Sequence, residues 1–367
     1  MRISALTLHN FRNYRRQELS FGPAVNVLAG QNGQGKTNVL ESVFFLLTGK
    51  SPRIRQEKEL VTWGEDTLYL SGDFTARERR LTVECVYREP RRAVRLNGVP
   101  CRRTSDYVGL INAVLFTPDD LDIVKRSPQE RRRFIDFLIC QSKPAHIGAL
   151  NQYHKALKQK SALLRRGRDA GGETRALLSS WNEQLTAAGT RIISHRTEYT
   201  VKLQRECQAI FSLIFAADRQ VELTYLSLGR RLPAEEVPDL AAVFAERMEQ
   251  EIEKKTVLAG PHRDDILISV DAKPAKVFAS QGQQRALVLS MKLAEMELCR
   301  KEKGEYPLLL LDDVLSELDA ARRGFLLEYI AAPGMQTLIT MTEREESIRG
   351  KNAVFYRIED GRAWREE

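Results

Sequence analysis

Cysteine is scarce in this 367-residue chain: Cys85, Cys101, Cys140, Cys207 and Cys299 are odd in number and far apart. They form no C-x-x-C pair, and His9, His146, His154, His195 and His262 make no ligand-spaced cluster. A disulfide framework and a structural zinc site are therefore excluded, and a reducing, cytoplasmic setting is expected. Long apolar runs are missing too. Nothing approaches the roughly 20 residues that span a bilayer, so no membrane partner is expected. Met1 leads straight into strand-like sequence, without the charged and then apolar stretches of a leader peptide. Repeats and low-complexity tracts are absent. What remains is an ordinary globular composition, long enough for one large or two moderate domains. Its net charge of +8 points to a polyanionic partner, nucleic acid before membrane surface.

The most informative stretch is Gly30-Gln31-Asn32-Gly33-Gln34-Gly35-Lys36-Thr37, a full G-x-x-x-x-G-K-[ST] phosphate-binding loop. The apolar run Ala24-Val25-Asn26-Val27-Leu28-Ala29 reads as a buried strand entering it. Val39, Leu40, Val43, Phe44 and Leu47 read as a helix leaving it. Glycines let consecutive N–H groups turn inward on a phosphate at a helix N-terminus. Lys36 then reaches the β- and γ-phosphates, and the Thr37 hydroxyl holds Mg²⁺. A nucleoside triphosphate is the expected ligand.

Three regions differ in texture. Up to about residue 120, short strand-like runs at 67–70 and 81–87 and an Asn97-Gly98 turn predict a mixed α/β lobe with an antiparallel portion. Residues 121–256 read as mostly helical: two arms of about 35 residues, at 131–164 and 175–215, joined at a Gly-bearing break. This stub lacks sustained heptads and a hinge. Residues 257–367 return to strands alternating with helices.

In the third region Leu308-Leu309-Leu310-Leu311 reads as a buried parallel strand ending in Asp312-Asp313. Asp312 is the candidate second Mg²⁺ ligand, with Thr37. Asp313 is placed to orient or deprotonate the attacking water, so Lys36 and Asp313 are the catalytic candidates. Ser280-Gln281-Gly282-Gln283 opens a periodic helix with a capping-box pattern. It reads equally as a second anion site aimed at a γ-phosphate.

Ser280-Gln281-Gly282-Gln283 resembles the signature motif of the ABC ATPase superfamily, and Ser316-Glu317-Leu318-Asp319 resembles its D-loop, with Ser316 and Asp319 as the key positions. The resemblance implies an α/β, ABC-type P-loop ATPase head built from 1–120 and 257–367, with 121–256 inserted as a short helical-hairpin domain. In that superfamily one protomer's signature covers the partner's nucleotide, which implies an ATP-dependent homodimer. Leu6-Thr7-Leu8-His9-Asn10-Phe11-Arg12-Asn13-Tyr14 and Asn32 through Asn38 resemble the SMC-like branch. Phe116-Thr117-Pro118-Asp119-Asp120-Leu121, Ser127-Pro128-Gln129-Glu130-Arg131-Arg132-Arg133-Phe134, Gly260-Pro261-His262-Arg263-Asp264-Asp265 and Leu311 through Asp319 are similar to the RecF family of bacterial recombination mediators. That likeness implies ATP and Mg²⁺ as cofactors, with Arg12 and Asn38 joining the phosphate loop. It also implies RecR and DNA as partners, and roles in gap repair, replication restart and SOS induction.

Departures from the wider superfamily bear on rate. Asp313 stands where glutamate is usual, 337–342 offers threonines where a switch histidine is usual, and 116–121 has no metal-contacting glutamine. Slow, DNA-stimulated turnover is expected. Basic candidates for duplex, gapped or junction DNA are Arg53, Arg55, Lys58, Arg126, Arg131, Arg132 and Arg133. Arg165, Arg166 and Arg168 read as a solvated charge run. Competing readings are a transporter-type ATPase subunit and a dimerisation switch with incidental hydrolysis.

Overall fold

The computed structural model describes residues 1–366 apart from 55, 167–171, 216–217, 234–235 and 343–352. The chain folds as two compact units, Met1–Leu121 with Val288–Glu367, and Asp122–Leu287. The second crossing falls at Leu287 rather than near residue 257. Strand Asp265–Val270 pairs antiparallel with Val221–Ser227, from Asp265↔Leu226 to Val270↔Val221, and so stays with the inserted unit. The signature segment at 280–283 lies in that unit too.

In the first unit one sheet runs, edge to edge, Arg362–Arg365, Val354–Glu359, Val25–Ala29, Thr337–Met341, Leu308–Leu311 and Ala113–Phe116. All neighbours but the first pair are parallel. Leu308–Leu311, Thr337–Met341 and Ala113–Phe116 are buried at every position, as strands covered on both faces must be. The N-terminal strand Val25–Ala29 lies between two strands from the far end of the chain, so neither end can form this sheet alone. Leu311 pairs with both Phe116 and Ile339, which brings Asp312, Thr117 and Thr340 to one C-terminal edge.

The second sheet of this unit is antiparallel, in the order Tyr14–Ser20, Arg2–Phe11, Thr67–Ala76, Arg79–Arg88, Arg91–Leu96, Val99–Cys101. Its strands outrun the apolar cores seen at 67–70 and 81–87. Ser71, Asp73 and Thr75 alternate with buried Gly72, Phe74 and Ala76, the mark of a sheet with one solvated face. Asn97 and Gly98, both at positive φ (51° and 79°), make the expected two-residue turn between Leu96 and Val99.

The inserted unit pairs the helices Pro144–Arg166 and Gly172–Ile214 as a hairpin. The first arm is not the continuous helix expected over 131–164. It breaks at Lys143 (φ −123°, ψ 90°) into Pro128–Ser142 and Pro144–Arg166, because Pro144 lacks an N–H and disfavours helical geometry in the residue before it. The second arm has 43 residues, about 65 Å of helix. Its buried positions include Leu178, Asn182, Leu185, Gly189, Ile192, Arg196, Tyr199 and Leu203, a 4,3 spacing carried over several heptads. Ala188, Ile193, Thr197 and Thr200 are buried beside them, so the covered face is wider than a coiled-coil seam, and Asn182, Gly189 and Arg196 interrupt any apolar heptad.

Candidate active site

The phosphate loop is set by its neighbours as much as by its glycines. Gly35 has φ +114°, and a Cβ there would sit 2.7 Å from the Asn13 amide nitrogen and 2.9 Å from the Tyr14 hydroxyl. A Cβ on Gly30 would collide with the Ile358 carbonyl. The Asn13 amide donates to the Gln34 carbonyl (3.0 Å), and Tyr14 donates to the Gly35 carbonyl (3.1 Å). From the other end of the chain, the Asp360 N–H donates to Gln34 Oε1 (2.6 Å) and the Gly361 N–H to the Gln34 carbonyl (3.2 Å). Gln31, Asn32 and Gly33 stay exposed at the tip.

Helix Lys36–Thr48 begins where the loop ends. The Lys36 ammonium, 6% exposed, donates to the carbonyls of Gly30 and Gln31 and to Asn32 Oδ1. Burial lowers its pKa, and the carboxylates of Asp313 and Asp312 pull it back. The amine is thus held over the loop in the field of both acidic residues.

Two hydroxyls converge on one carboxylate oxygen. Thr37 Oγ1 donates to Asp312 Oδ1 at 2.8 Å, and Thr340 Oγ1 donates to the same atom at 2.9 Å. Asp312 is 8% exposed; burial pushes its pKa up, while these hydroxyls and the Arg53 guanidinium pull it down. A buried carboxylate beside a hydroxyl is a hard-oxygen donor pair that suits Mg²⁺. Among the described residues no group of three or more His, Cys, Asp or Glu could hold a metal, so a cation here would be shared with phosphates. Thr340 also accepts from the Asp313 N–H (2.8 Å), and Asp313 takes a left-handed backbone (φ 51°). Sequence reasoning passed over Thr340, noting only the missing histidine. Its place at the end of strand Thr337–Met341 was the available signal.

A second group of residues surrounds the start of the helix. Arg12 (φ 55°) donates Nε and Nη2 to Glu41 at 2.9 and 2.7 Å and Nη1 to the Glu59 carbonyl at 2.9 Å. Arg53 Nη1 donates to Asn38 Oδ1 (3.0 Å) and Glu41 Oε2 (3.2 Å), and Asn38 donates to Asn13 Oδ1 (2.8 Å). Arg53, read from the sequence as a DNA candidate, therefore stands at the phosphate-loop helix. Glu41 and Asn13 were missed, since nothing in their spacing marks them.

At the signature segment the capping box is reciprocal. The Ser280 N–H donates to Gln283 Oε1 (2.7 Å) and the Gln283 N–H to Ser280 Oγ (3.2 Å), which starts helix Gln281–Lys303. Ser280 and Gln281 are exposed. In the segment after Asp313, Ser316 Oγ donates to the Asp313 carbonyl (2.7 Å), and Asp319 caps helix Ala320–Ile330.

The basic candidates separate. Arg131 is buried, donating to both oxygens of Asp265 (2.7 and 3.0 Å) and to two carbonyls, so it is committed to the fold and cannot serve DNA. Arg132 is half-buried on the Asp264 carbonyl (2.6 Å). Arg133, Arg126 and Lys58 are exposed, Arg126 beside Asp122 and Lys58 4.0 Å from Glu89. Arg55, Arg168 and the Arg166 side chain lie outside the described residues. In the Gly260–Asp265 motif Gly260, Pro261 and Asp264 are buried structure, while Arg263 is exposed. Asp264 accepts from Tyr225 (2.5 Å) and Ser227 (2.9 Å), and the Pro261 carbonyl accepts from Arg196 (2.7 Å).

Comparison with known proteins agrees along the whole chain. The family model for the RecF/RecN/SMC N-terminal domain matches residues 2–362. The DNA replication and repair protein RecF of Desulfitobacterium hafniense (strain DSM 10664 / DCB-2) is 46% identical over 367 residues, 100% of both chains. A solved structure of the recombination mediator protein RecF-ATP in the RecFOR pathway is similar with TM-score 0.89 at 30% identity, over 100% of this chain and 97% of that one. The Smc head domain of Pyrococcus furiosus, with an extended coiled coil and bound to the C-terminal domain of ScpA, shares the fold at TM-score 0.56 and 17% identity, over 99% and 95% of the two chains. An ABC-type ATPase head whose likeness to RecF includes the helical insertion as well as both ends leaves one assignment: the chain belongs to the RecF family.

Proposed function

We propose that this chain is an ATP-dependent DNA-binding protein of recombinational repair. In this reading an ATP-bound homodimer binds duplex or gapped DNA in the cytoplasm, engages RecR and helps load recombinase at gaps, with onward roles in replication restart and SOS induction. Slow, DNA-stimulated hydrolysis resets it. The observation that carries the reading is the meeting of the Thr37 and Thr340 hydroxyls on Asp312 Oδ1 at the mouth of the phosphate loop.

The loop N–H groups and the N-terminus of helix Lys36–Thr48 hold the phosphates, and Lys36 neutralises the β- and γ-oxygens. Thr37 and Asp312 hold Mg²⁺, which when bound supplies further charge neutralisation on those oxygens. Asp313, its backbone tied to Thr340, accepts a proton from the water that attacks the γ-phosphorus. Ser280 and the N-terminus of helix Gln281–Lys303 cover the nucleotide of the other protomer. Asp313 reaches one methylene less far than a glutamate, which supports turnover well below the roughly 10 per second typical of enzymes.

The test is binding to labelled duplex and gapped duplex without nucleotide, with Mg-ADP and with a non-hydrolysable ATP analogue. DNA affinity is expected to rise only with the analogue, and to lose that rise in Ser280→Arg. Asp313→Asn should lower turnover by about 10²-fold or more while keeping analogue-dependent DNA binding. Equal DNA affinity in every nucleotide state would reject the coupling.

A further inference from the structure

Glu41 has no part in the scheme above, yet it is the most heavily contacted carboxylate near the phosphate loop. It lies on helix Lys36–Thr48, 2% exposed, one turn beyond Lys36 and Thr37. Oε1 accepts from Arg12 Nη2 (2.7 Å) and Ser51 Oγ (2.5 Å), and Oε2 accepts from Arg12 Nε (2.9 Å) and Arg53 Nη1 (3.2 Å). Two guanidiniums thus share one buried carboxylate, which leaves one positive charge over. Without that carboxylate the two cations would repel each other and separate.

The surplus charge has a direction. Arg53 Nη1 bridges Glu41 and Asn38, the residue next to Thr37, and its side chain is 42% exposed. Arg12, at a positive φ that a non-glycine residue adopts at a cost, is pinned through its N–H to the Leu60 carbonyl (2.7 Å) and through Nη1 to Glu59. One arginine is pinned, and the other is held on Asn38, the residue next to Thr37.

We propose that Glu41 is a positioning residue for nucleotide recognition: its carboxylate orients Arg53 beside Asn38 and Thr37, so that the uncompensated charge falls on the terminal phosphate. The inference rests on the reading of the loop as a triphosphate site. A carboxylate ties down a guanidinium through charge-assisted bonds that an amide cannot replace, so the effect should show in binding before it shows in turnover.

The experiment measures affinity of the full chain for a Mg-bound non-hydrolysable ATP analogue and for Mg-ADP. The proteins are wild type, Glu41→Gln, Arg53→Ala and the double variant, with unfolding midpoints recorded alongside. Glu41→Gln and Arg53→Ala should each weaken the triphosphate about tenfold and the diphosphate less than about threefold. In the double variant the losses should not add, because one acts through the other. If Glu41→Gln fails to fold, Glu41→Asp, which keeps the charge but retreats by one methylene, should give a smaller loss with the same triphosphate bias. Additive losses, equal losses for both nucleotides, or a lowered midpoint with unchanged affinity would overturn the proposal. Wild type that binds neither nucleotide would instead remove the triphosphate reading beneath it.

Discussion

Lys36→Met should weaken nucleotide binding by orders of magnitude and leave the fold intact. Methionine keeps the length and apolar stem of lysine but removes the ammonium that sits over the loop on the Gly30 and Gln31 carbonyls. A charge-assisted hydrogen bond contributes about 1.5–3 kcal/mol net, so losing two to the β- and γ-oxygens weakens binding by about 10²- to 10⁴-fold. Stability should change little, because the variant also removes a desolvated charge whose burial already lowers its pKa. Calorimetric titration with the ATP analogue, set beside a thermal unfolding curve, separates the two. A threefold or smaller loss of affinity would mean that Lys36 is not a phosphate ligand.

Arg196→Met should have the opposite signature, a large loss of stability before any nucleotide is added. Arg196 is 4% exposed and donates Nε and Nη2 to the two oxygens of Asp136 (2.7 and 2.8 Å). His146 Nε2 lies 3.0 Å from the same carboxylate. Burial by itself would raise the Asp136 carboxyl; Arg196 and His146 overcome it and hold the group well below the usual carboxylate range. Removing the guanidinium strands a buried charge, at a cost of about 3–5 kcal/mol. Urea unfolding at neutral pH would measure it, and a change under about 1 kcal/mol would show that the cluster is not a keystone.

The same unit should weaken in acid in two windows. Burial and the nearby Arg263 lower His262 to about 4, and Tyr153 at 2.7 Å is placed to donate to the neutral Nδ1. The unfolded chain takes up that proton near pH 6.5, so stability present above about 6.5 is lost as pH falls to about 4, by roughly 3 kcal/mol. Asp136 adds its own loss at lower pH, as protons reach its depressed carboxyl. Unfolding free energies measured from pH 7 downward should show the first slope, and His262→Gln should flatten it.

How far the site could be read in advance differs by residue. Lys36, Thr37 and Asp312 were legible because each stands at a fixed place in a strand–loop–helix or strand–end pattern, and the contacts follow from the register of parallel strands. Arg131 read as a surface cation because a local window shows Arg126, Arg131, Arg132 and Arg133 against Glu130 alone, and its partner Asp265 is far along the chain. The Arg53 contact was hidden for the same reason, since Glu41 looks like any helical glutamate until Arg12 folds over it. The break at Lys143 was available in the sequence, in Pro144, and was outweighed by the helical pattern on either side.

Sequence alone determined whatever depends on neighbours a few residues apart: the phosphate loop, the capping box at Ser280, the Asn97-Gly98 turn and the buried runs of the central strands. Backbone sterics, helix dipoles and apolar continuity act over that distance, so a local window contains their causes. Tertiary structure decided which carboxylate holds which cation: Glu41 for Arg12 and Arg53, Asp265 for Arg131, Asp136 for Arg196. A long charged side chain carries no record of its partner in its own surroundings. Coulomb energy depends on separation in space, and only the folded sheets and helices fix that separation.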